Sequence, residues 1–375
     1  MVIARAPVRI SFAGGGTDLA SYYRRHGGLV VSAAIARYTH VIASRPSDGG
    51  FWLRSSDYHA WETFRPRTLP PVQEPLALPK AAIEAFAPFG LRESGVDLFL
   101  ASEIPPGSGL GSSSAMAVAL AHALAGYLGL PMDAVTAADM ACRLEIERLG
   151  MPIGKQDQYA SAFGGLNTIE FSAAGVRVTP LDLPADTVAA LSSRLLLFST
   201  GRTRNSAGIL RQQSADSATK REVISSLHSI KELAYDMRDA LAAEELDRFG
   251  ELLHQAWAHK KKLSGKVSTS EIDAWYAAAR EAGALGGKIT GAGGGGFLLL
   301  YCPRRRQRGL RAALRERGLI EMPFDLDFDG AGLVSADAPP EEASDGLVRD
   351  PAARFEADMR EHPLSWVQHE GGVTR

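Results

Sequence analysis

The segment Glu103–Ala115 combines residue types that suit the binding of a phosphate group. It reads Glu-Ile-Pro-Pro-Gly-Ser-Gly-Leu-Gly-Ser-Ser-Ser-Ala, so glycines alternate with other residues before a run of hydroxyl side chains. Glycine lets a backbone approach a ligand closely. The alanine-rich run that follows predicts a helix, whose first N–H groups lack partners and lie at the positive end of its dipole. The segment therefore predicts an anion site, and we expect the phosphate of a nucleotide or of a phosphorylated metabolite.

Standard phosphate-binding loops do not account for this segment. A Walker A loop needs a lysine after its last glycine, and none follows Gly111. A dinucleotide-binding loop needs a third glycine where Ser112 stands. The run Gly291–Gly296 matches the dinucleotide pattern as a string, but a strand is predicted after it instead of a helix. Tight turns or close packing would explain one isolated cluster. Three clusters, counting Gly14–Gly16, favour a phosphate site.

The composition argues against several classes of function. The chain has 375 residues, 45% of them hydrophobic and 22% charged, which is typical of a globular protein with two domains. A net charge of −2 gives no sign of a nucleic-acid surface, and no apolar run is long enough to span a membrane. Cys142 and Cys302 are too few and too far apart for a disulfide framework or a cysteine zinc site. We expect a cytoplasmic protein, since Met1–Pro7 lacks a signal-peptide pattern.

The elements that must position the glycine clusters follow from hydrophobic patterning. Strands are predicted at 8–13, 29–35, 39–44, 96–101, 166–171, 195–199 and 297–301. Helices are predicted at 113–128, which is apolar nearly all round, and at 133–149, 223–241, 246–263, 271–282 and 304–317. We expect an N-terminal domain at 1–195, a C-terminal domain at 196–336 and a loosely ordered tail at 337–375.

Three segments resemble the motifs of the GHMP small-molecule kinases, a superfamily that includes galactokinase, homoserine kinase and mevalonate kinase. Ala6–Asp18, Ala-Pro-Val-Arg-Ile-Ser-Phe-Ala-Gly-Gly-Gly-Thr-Asp, resembles the first motif. Pro105–Ala115 resembles the second, which holds the phosphates of ATP, and Lys288–Phe297 resembles the third. The resemblance implies an α+β fold with two domains, the first like domain 2 of ribosomal protein S5 and the second ferredoxin-like. ATP and substrate would meet in the cleft between them.

The resemblance also implies that the second motif binds ATP through its backbone, with Mg²⁺ as the metal. Ser113 stands where the superfamily places a hydroxyl ligand to the metal, and Glu145 where it places a carboxylate. Glu147 is the competitor, but residues two apart on a helix point to different faces, so only one should reach the metal. Ser112 or Ser114 could instead cap the helix. The expected ATP-binding residues are Pro106, Gly107, Ser108, Gly109, Leu110, Gly111, Ser112, Ser113 and Ser114.

Phosphoryl transfer also needs a cation near the moving group and an acceptor for the hydroxyl proton. The resemblance implies that Asp157 is the catalytic aspartate, able to accept that proton. It implies that Arg9 is the basic residue that lowers the pKa of Asp157 and stabilises charge on the γ-phosphoryl group. The alternative for Asp157 is an ordinary turn residue.

The substrate is expected at the first motif. Asp18 matches a sugar-binding aspartate of galactokinase, and Thr17 is expected to assist it. Gly15 and Gly16 stand where galactokinase has larger side chains. This departure argues against galactose and leaves room for a larger or phosphorylated sugar.

A sugar phosphate needs cations beyond those that serve ATP. Lys155, Arg202 and Arg204 are the candidates, with ordinary surface basicity as the alternative for each. Gly293 and Gly294 are expected to close the site from the second domain, or else only to let the domains pack. Lys260–Lys262 is expected to be a solvated helix face.

The first motif, together with Gly154–Tyr159, most resembles the branch of D-glycero-D-manno-heptose 7-phosphate kinases. That branch implies phosphorylation of the anomeric hydroxyl, with ATP and a small-molecule sugar phosphate as partners. A homodimer is one expected assembly. A kinase for a fucose-like or galactose-like sugar and a non-catalytic sugar or nucleotide sensor are the alternatives. A diphosphate decarboxylase is disfavoured by the galactokinase-like pair Asp157–Gln158.

Overall fold

Two β-sheets organise the chain, and the computed structural model describes residues 1–202 and 206–336 together with Phe355 and Ala357. The strands are β1 Val2–Ala13, β2 Gly28–Ser44, β3 Phe51–Ser55, β4 Ala60–Phe64, β5 Val96–Ser102, β6 Leu166–Ser172, β7 Gly175–Pro180, β8 Leu195–Ser199, β9 Gly286–Ile289, β10 Phe297–Tyr301, β11 Ile320–Glu321 and β12 Gly332–Ala336.

Along the sequence, the helices lie in the segments that connect these strands. The α-helices are α1 Ala20–His26, α2 Ala77–Phe86, α3 Leu91–Ser94, α4 Ser112–Leu128, α5 Ala134–Cys142, α6 Gln156–Phe163, α7 Ala185–Arg194, α8 Ser206–Thr219, α9 Arg221–Ala242, α10 Leu246–Lys261, α11 Ser270–Glu281 and α12 Gln307–Arg315. A π-helix spans Arg143–Arg148, and short 3-10 helices span Ala87–Phe89 and Arg304–Arg306.

The first sheet is built around β2. One edge of β2 pairs with β1, while its other edge pairs first with β6 and then with β5. The sequence predicts two strands here, but the structure has one. Tyr38 lies opposite Pro7 and Ile35 lies opposite Val8, so β2 accommodates extra residues in a bulge without breaking. The bulge falls at a proline, which has no N–H to donate to the ladder.

Helix α4 is the central helix of the first domain. It packs against β1, β2, α5 and α6. Its inner turns carry alanines that are fully buried, including Ala117, Ala119, Ala121 and Ala123. Small side chains let neighbouring elements approach on every face, as the apolar pattern predicts. The N-terminus of α4 is therefore held rigidly at the end of the Gly/Ser loop.

The second domain has the predicted ferredoxin-like architecture. Its antiparallel sheet has the order β11-β8-β10-β9, and its strands follow a strand–helix–strand–strand–helix–strand sequence. Helices α8 to α11 form the first crossover and α12 the second. Trp257, Ile289 and Leu298 lie in its buried core. Strand β12 then returns to the first sheet and pairs with β1, although the predicted boundaries place this segment in the C-terminal domain.

One predicted helix differs in form. The sequence predicts a single helix at 133–149, but α5 ends at Cys142 and continues as the π-helix Arg143–Arg148. Asp133 caps α5, because its side chain accepts a hydrogen bond from the N–H of Thr136. A π-helix has a wider turn than an α-helix, so different side chains share a face in it. Glu145 lies in this π-helix.

The two domains meet through their glycine loops. A Cβ atom on Gly296 would lie 2.1 Å from the carbonyl oxygen of Ser108, and one on Gly109 would lie 2.7 Å from that of Thr290. The backbones of the second and third motifs therefore touch directly. Within the described residues, no helix is both long and apolar enough to cross a membrane.

Replacing Gly296 tests this contact, with Gly318 as its matched control. Both glycines have a positive φ, but a Cβ on Gly318 meets open space. Gly318→Ala should cost about 1 kcal/mol of unfolding free energy through backbone strain alone. Gly296→Ala should cost about 2 kcal/mol more, because the new methyl group collides with backbone. Urea unfolding measures both, and equal losses would contradict the close contact.

Candidate active site

A cavity of about 490 Å³ lies where the glycine clusters meet. Among the described residues, its walls come from β1, the loop before α4, the π-helix, the start of α6 and the loop between β9 and β10. Leu210 and Gln213 of helix α8 complete the wall beside Gly16. Segments from all three sequence motifs thus face one space.

The Gly/Ser loop has the conformation that an anion site needs. Gly107, Gly109 and Gly111 have φ angles of 75°, 79° and 80°, a region that side chains disfavour. Gly111 is the N-cap residue of α4 and has no side chain that could occupy the helix end. The alternative that Ser112 or Ser114 caps the helix is therefore not what the structure shows. The first N–H groups of α4 remain for a ligand.

Seven of the nine predicted ATP-binding residues line the cavity, and two support it from behind. Leu110 donates its N–H to Ser108 Oγ at 3.3 Å and accepts the N–H of Arg9 at 2.9 Å. The side chains of Ser108 and Leu110 are both buried. These two residues therefore hold the Gly/Ser loop in its conformation. The seven that line the cavity are Pro106, Gly107, Gly109, Gly111, Ser112, Ser113 and Ser114.

Arg9 and Asp157 form a bidentate ion pair in the cavity wall. Arg9 Nε donates to Asp157 Oδ1 at 2.8 Å, and Arg9 Nη2 donates to Asp157 Oδ2 at 2.6 Å. Arg9 Nη1 also donates to the carbonyl oxygen of Gly109 at 2.7 Å. Arg9 is 3% exposed, whereas the Asp157 side chain is 23% exposed toward the cavity. One planar guanidinium thus orients both the carboxylate and the phosphate loop.

Glu145 is a buried carboxylate that faces the same cavity. Ser113 Oγ donates to its Oε1 and Gln158 Nε2 donates to its Oε2, each at 2.6 Å. Burial raises the pKa of Glu145, and the nearby charge of Asp157 raises it further, while the hydrogen bonds oppose the rise. Glu147 is exposed on the opposite side of the π-helix.

The pair Ser113 and Glu145 fits Mg²⁺. Magnesium takes oxygen ligands and, in kinases, needs only one or two protein groups besides phosphates. Here a hydroxyl and a carboxylate meet beside the anion loop, and a cation would stabilise the charged form of the buried Glu145.

Asp18 lies across the cavity from the loop. Its carboxylate accepts hydrogen bonds from the N–H of Gly16 at 2.9 Å and from Gln156 Nε2 at 3.0 Å. Gly154 leaves room for it, since a Cβ there would lie 1.9 Å from Asp18 Oδ2. Burial raises the pKa of Asp18, and the charge of Asp157 adds to the rise. Asp18 is thus a fixed carboxylate in the cavity wall.

The structure corrects the expectation for Thr17. Its hydroxyl donates to the carbonyl oxygen of Gly14 at 2.7 Å and accepts the N–H of Leu29 at 3.1 Å. Thr17 is fully buried and is absent from the cavity wall among the described residues. Its hydroxyl fixes the glycine turn and does not reach a substrate.

The structure adds cavity residues that the sequence reasoning did not select. Gln156 and Ser11 face the cavity beside Gly15, and Gln156 Oε1 and Ser11 Oγ are buried without a hydrogen-bond partner among the described residues. Lys288 also lines it and donates to the carbonyl oxygen of Ser11 at 2.6 Å. Its place as the first residue of the third motif was the signal that could have identified Lys288.

Lys260 requires a correction as well. The sequence predicts a solvated helix face at Lys260–Lys262, but Lys260 is 9% exposed and lines the cavity. Its ammonium contacts the carbonyl oxygens of Ile289 and Gly291. Lys261, by contrast, is on the surface and pairs with Asp273 at 3.1 Å.

The residues predicted to hold a substrate phosphate lie elsewhere. Arg202 pairs with Glu271 at 2.6 Å on the surface of the second domain. Lys155 is buried near Cys142, where its charge lowers the pKa of the thiol against the larger effect of burial. Neither residue is part of the cavity wall that the described chain forms. Arg204 lies outside the described residues.

Gly293 and Gly294 are the glycines that the sequence predicts to close the site. Neither is part of the cavity wall that the described residues form. Gly294 donates its N–H to the carbonyl oxygen of Val267 at 2.7 Å, and a Cβ on Gly293 would lie 2.7 Å from that same oxygen. They fold the third loop against its own domain. Gly291 and Ala292 supply the lining instead.

The far end of the cavity is apolar. It is formed by side chains from the start of α2, from β5 and α4 and from the turn after β3, and α2 is a helix that the sequence did not predict. A flat aromatic ring would fit between such side chains, with its polar substituents directed toward the loop. The side chains at this end are Tyr58, Leu76, Leu78, Pro79, Leu100 and Met116.

Comparison with known proteins agrees with this geometry. Residues 77–165 match the model of the GHMP kinases N terminal domain, and residues 237–319 match that of the GHMP kinases C terminal domain. A solved D-glycero-D-manno-heptose 1-phosphate kinase from Bacteroides thetaiotaomicron is similar to the chain with a TM-score of 0.76 and 28% identity. The likeness covers 90% of this chain and 100% of that one.

Two characterised relatives extend the comparison. The D-glycero-alpha-D-manno-heptose 7-phosphate kinase of Campylobacter jejuni is 30% identical, over 88% of this chain and 97% of that protein. The L-fucokinase/L-fucose-1-P guanylyltransferase of Bacteroides fragilis is 32% identical, over 85% of this chain and 36% of that protein. With both domain models matched and a full-length relative at this identity, the chain belongs to the GHMP kinase family and is an ATP-dependent kinase.

Proposed function

We propose that the protein transfers the γ-phosphoryl group of ATP to the anomeric hydroxyl of D-glycero-D-manno-heptose 7-phosphate. The product would be the 1,7-bisphosphate, an intermediate for nucleotide-heptose synthesis. The observation that carries this proposal is the Arg9–Asp157 pair, which joins the phosphate loop to the wall that holds Asp18.

ATP would lie along the cavity. Its phosphates would accept hydrogen bonds from the loop and from the N-terminus of α4, and its base would occupy the apolar end near Leu76 and Pro79. Mg²⁺, when bound to Ser113 and Glu145, would neutralise charge on the phosphates. The chain's own contribution is a fixed set of N–H donors that need no rearrangement during transfer.

Asp157 would accept the proton of the sugar hydroxyl. Its carboxylate is held in one orientation by two hydrogen bonds from Arg9, and it retains exposure to the cavity. An anomeric hydroxyl is more acidic than an ordinary alcohol, so a carboxylate is a sufficient base. Arg9 would meanwhile stabilise negative charge on the transferred group.

The sugar would sit between Asp18 and the Gly15–Gly16 turn. Asp18, Gln156 and Ser11 offer acceptors and donors for several hydroxyls. Gly16 leaves space that the amide of Gln213 enters from helix α8, since a Cβ on Gly16 would lie 2.3 Å from Gln213 Nε2. The pocket is thus shaped by two domains, and the Gln213 amide of the second domain lies in the space beside Gly16.

A different monosaccharide is the second candidate. The relative from Bacteroides fragilis is named a fucokinase, and the polar set around Asp18 would also suit an unphosphorylated sugar. A product-detecting screen with Mg·ATP separates the two. The 7-phosphorylated heptose should react with a kcat/KM at least about 100-fold above that of free heptose, fucose or galactose. Preference for a free sugar would contradict the proposed substrate.

Asp157→Asn tests the proton acceptor. The amide keeps the shape but cannot take a proton, so kcat should fall by about 100-fold or more. Asp186→Asn is the matched control, because Asp186 also lies in the first turn of a helix but is exposed away from the cavity. Steady-state kinetics gives both values. Unchanged kcat in Asp157→Asn would remove the proton-acceptor role.

Ser113→Ala tests the metal site. Loss of the hydroxyl should raise the Mg²⁺ concentration needed for half-maximal rate by about 10-fold, the scale of one lost bond to a charged group. The KM for the sugar should stay within about 2-fold, since Ser113 faces Glu145 and not Asp18. A titration of rate against Mg²⁺ measures this, and an unchanged midpoint would exclude Ser113 as a ligand.

A further inference from the structure

Two lysines of the second domain lie at the sugar end of the cavity. Lys288 and Lys260 both line the main cavity, and both also line a small adjoining cavity with Gly14 and Gly15. They come from different elements, β9 and α10, and reach the same place from the side opposite β1. Their convergence puts two lysine amino groups beside the turn formed by Gly14 and Gly15.

Lys288 is a cation without an ion-pair partner among the described residues. The residue is 4% exposed, and its ammonium donates to the carbonyl oxygens of Ser11 at 2.6 Å and Phe12 at 3.3 Å. No described carboxylate lies within salt-bridge distance of it. Burial and the positive charges of Lys260 and Arg9 lower the pKa of Lys288 well below its usual value. A buried positive charge of this kind is costly, and an anion would offset the cost.

The neighbours of Lys288 also suit an anion. Lys260 donates to the carbonyl oxygens of Ile289 and Gly291, at the end of the strand that bears Lys288. Ser11 Oγ is buried and has no hydrogen-bond partner in the described chain, so its hydroxyl is available as a donor. Two ammonium groups and a hydroxyl form a donor set for a phosphate group.

This place adjoins the ATP-phosphate loop, because Gly291, whose carbonyl oxygen holds Lys260, lies against the backbone of Gly109. Arg9 contacts the loop through Gly109, whereas Lys288 binds the carbonyl of Ser11, two residues farther along β1. Two strand residues span about 7 Å. A pyranose ring with its side chain has a comparable length, so a sugar with its anomeric hydroxyl at Asp157 would direct its far end toward Lys288.

We propose that Lys288, Lys260 and the Ser11 hydroxyl bind the phosphate group that the sugar substrate already carries. The inference rests on the proposed function and replaces the assignment to Lys155 and Arg202, which the structure places outside the cavity wall. The same lysines lie in the second domain, so the substrate's own phosphate would draw that domain onto β1. Recognition of the phosphate and closure of the site would then be one event.

The test compares phosphorylated and free sugar on Lys288→Met. Methionine keeps most of the length and removes the charge. The dissociation constant for the 7-phosphorylated heptose, measured by calorimetry without ATP, should rise about 10- to 100-fold, the scale of one charged hydrogen bond. Affinity for free heptose and the KM for ATP should change by less than about 3-fold.

Lys261→Met is the control, because Lys261 neighbours Lys260 on α10 but pairs with Asp273 on the surface. It should leave every constant unchanged. Ser11→Ala is a second test variant that removes only an unpartnered hydroxyl, so it should fold normally and weaken the phosphorylated sugar selectively. It keeps the proposal testable if Lys288→Met does not fold.

The outcomes are distinguishable. A wild-type protein that binds free heptose as tightly as the 7-phosphate overturns both the proposed substrate and this subsite. A wild type that prefers the phosphorylated sugar, with Lys288→Met or Ser11→Ala keeping that preference in full, overturns the subsite alone. Equal weakening of both sugars, or a selective rise in the KM for ATP, also overturns it, since the lysine would then act on structure or on the γ-phosphoryl group.

Discussion

The guanidinium of Arg9 connects every part of the candidate site. It holds the Asp157 carboxylate by two hydrogen bonds and the carbonyl of Gly109 by a third. Because Arg9 is nearly fully buried on a central strand, it moves only with the first sheet. The group that would take a proton and the loop that would hold the phosphates are therefore fixed to one another. A kinase needs this relation more than any single strong contact, since phosphoryl transfer depends mainly on positioning.

The close approach of two glycine loops explains why this positioning involves both domains. Side chains at Gly109 or Gly296 would separate the second and third motifs, and with them Lys288 from the end of β1. Much of the third motif thus serves contact between backbones and not contact with a ligand. The glycines that first suggest a phosphate site therefore have two physical functions, and only those before α4 lie at a helix N-terminus.

Much of the fold and part of the site could be predicted from the sequence. The apolar pattern of α4 and the glycines before it located the loop. The resemblance to the GHMP kinases selected Glu145 over Glu147, and the structure shows the first buried and the second exposed. The lysines could not be assigned in this way. Whether Lys260 is buried depends on which face of α10 meets the third loop, a long-range contact that local periodicity does not contain. Arg202 was misassigned for the same reason, since it pairs with Glu271 far along the chain. The Thr17 hydroxyl instead bonds within its own turn to Gly14, as well as to Leu29.

The return of β12 to pair with β1 has a mechanical consequence. The ferredoxin-like unit leaves the first sheet after β7 and rejoins it at β12, so it is tethered by two connections and not by one. Helices α9 and α10 of the unit also pack against β1, so the unit is anchored by chain connections and by side-chain packing together. The strand that bears Arg9 therefore carries the ion pair with Asp157 and part of the attachment of the second domain.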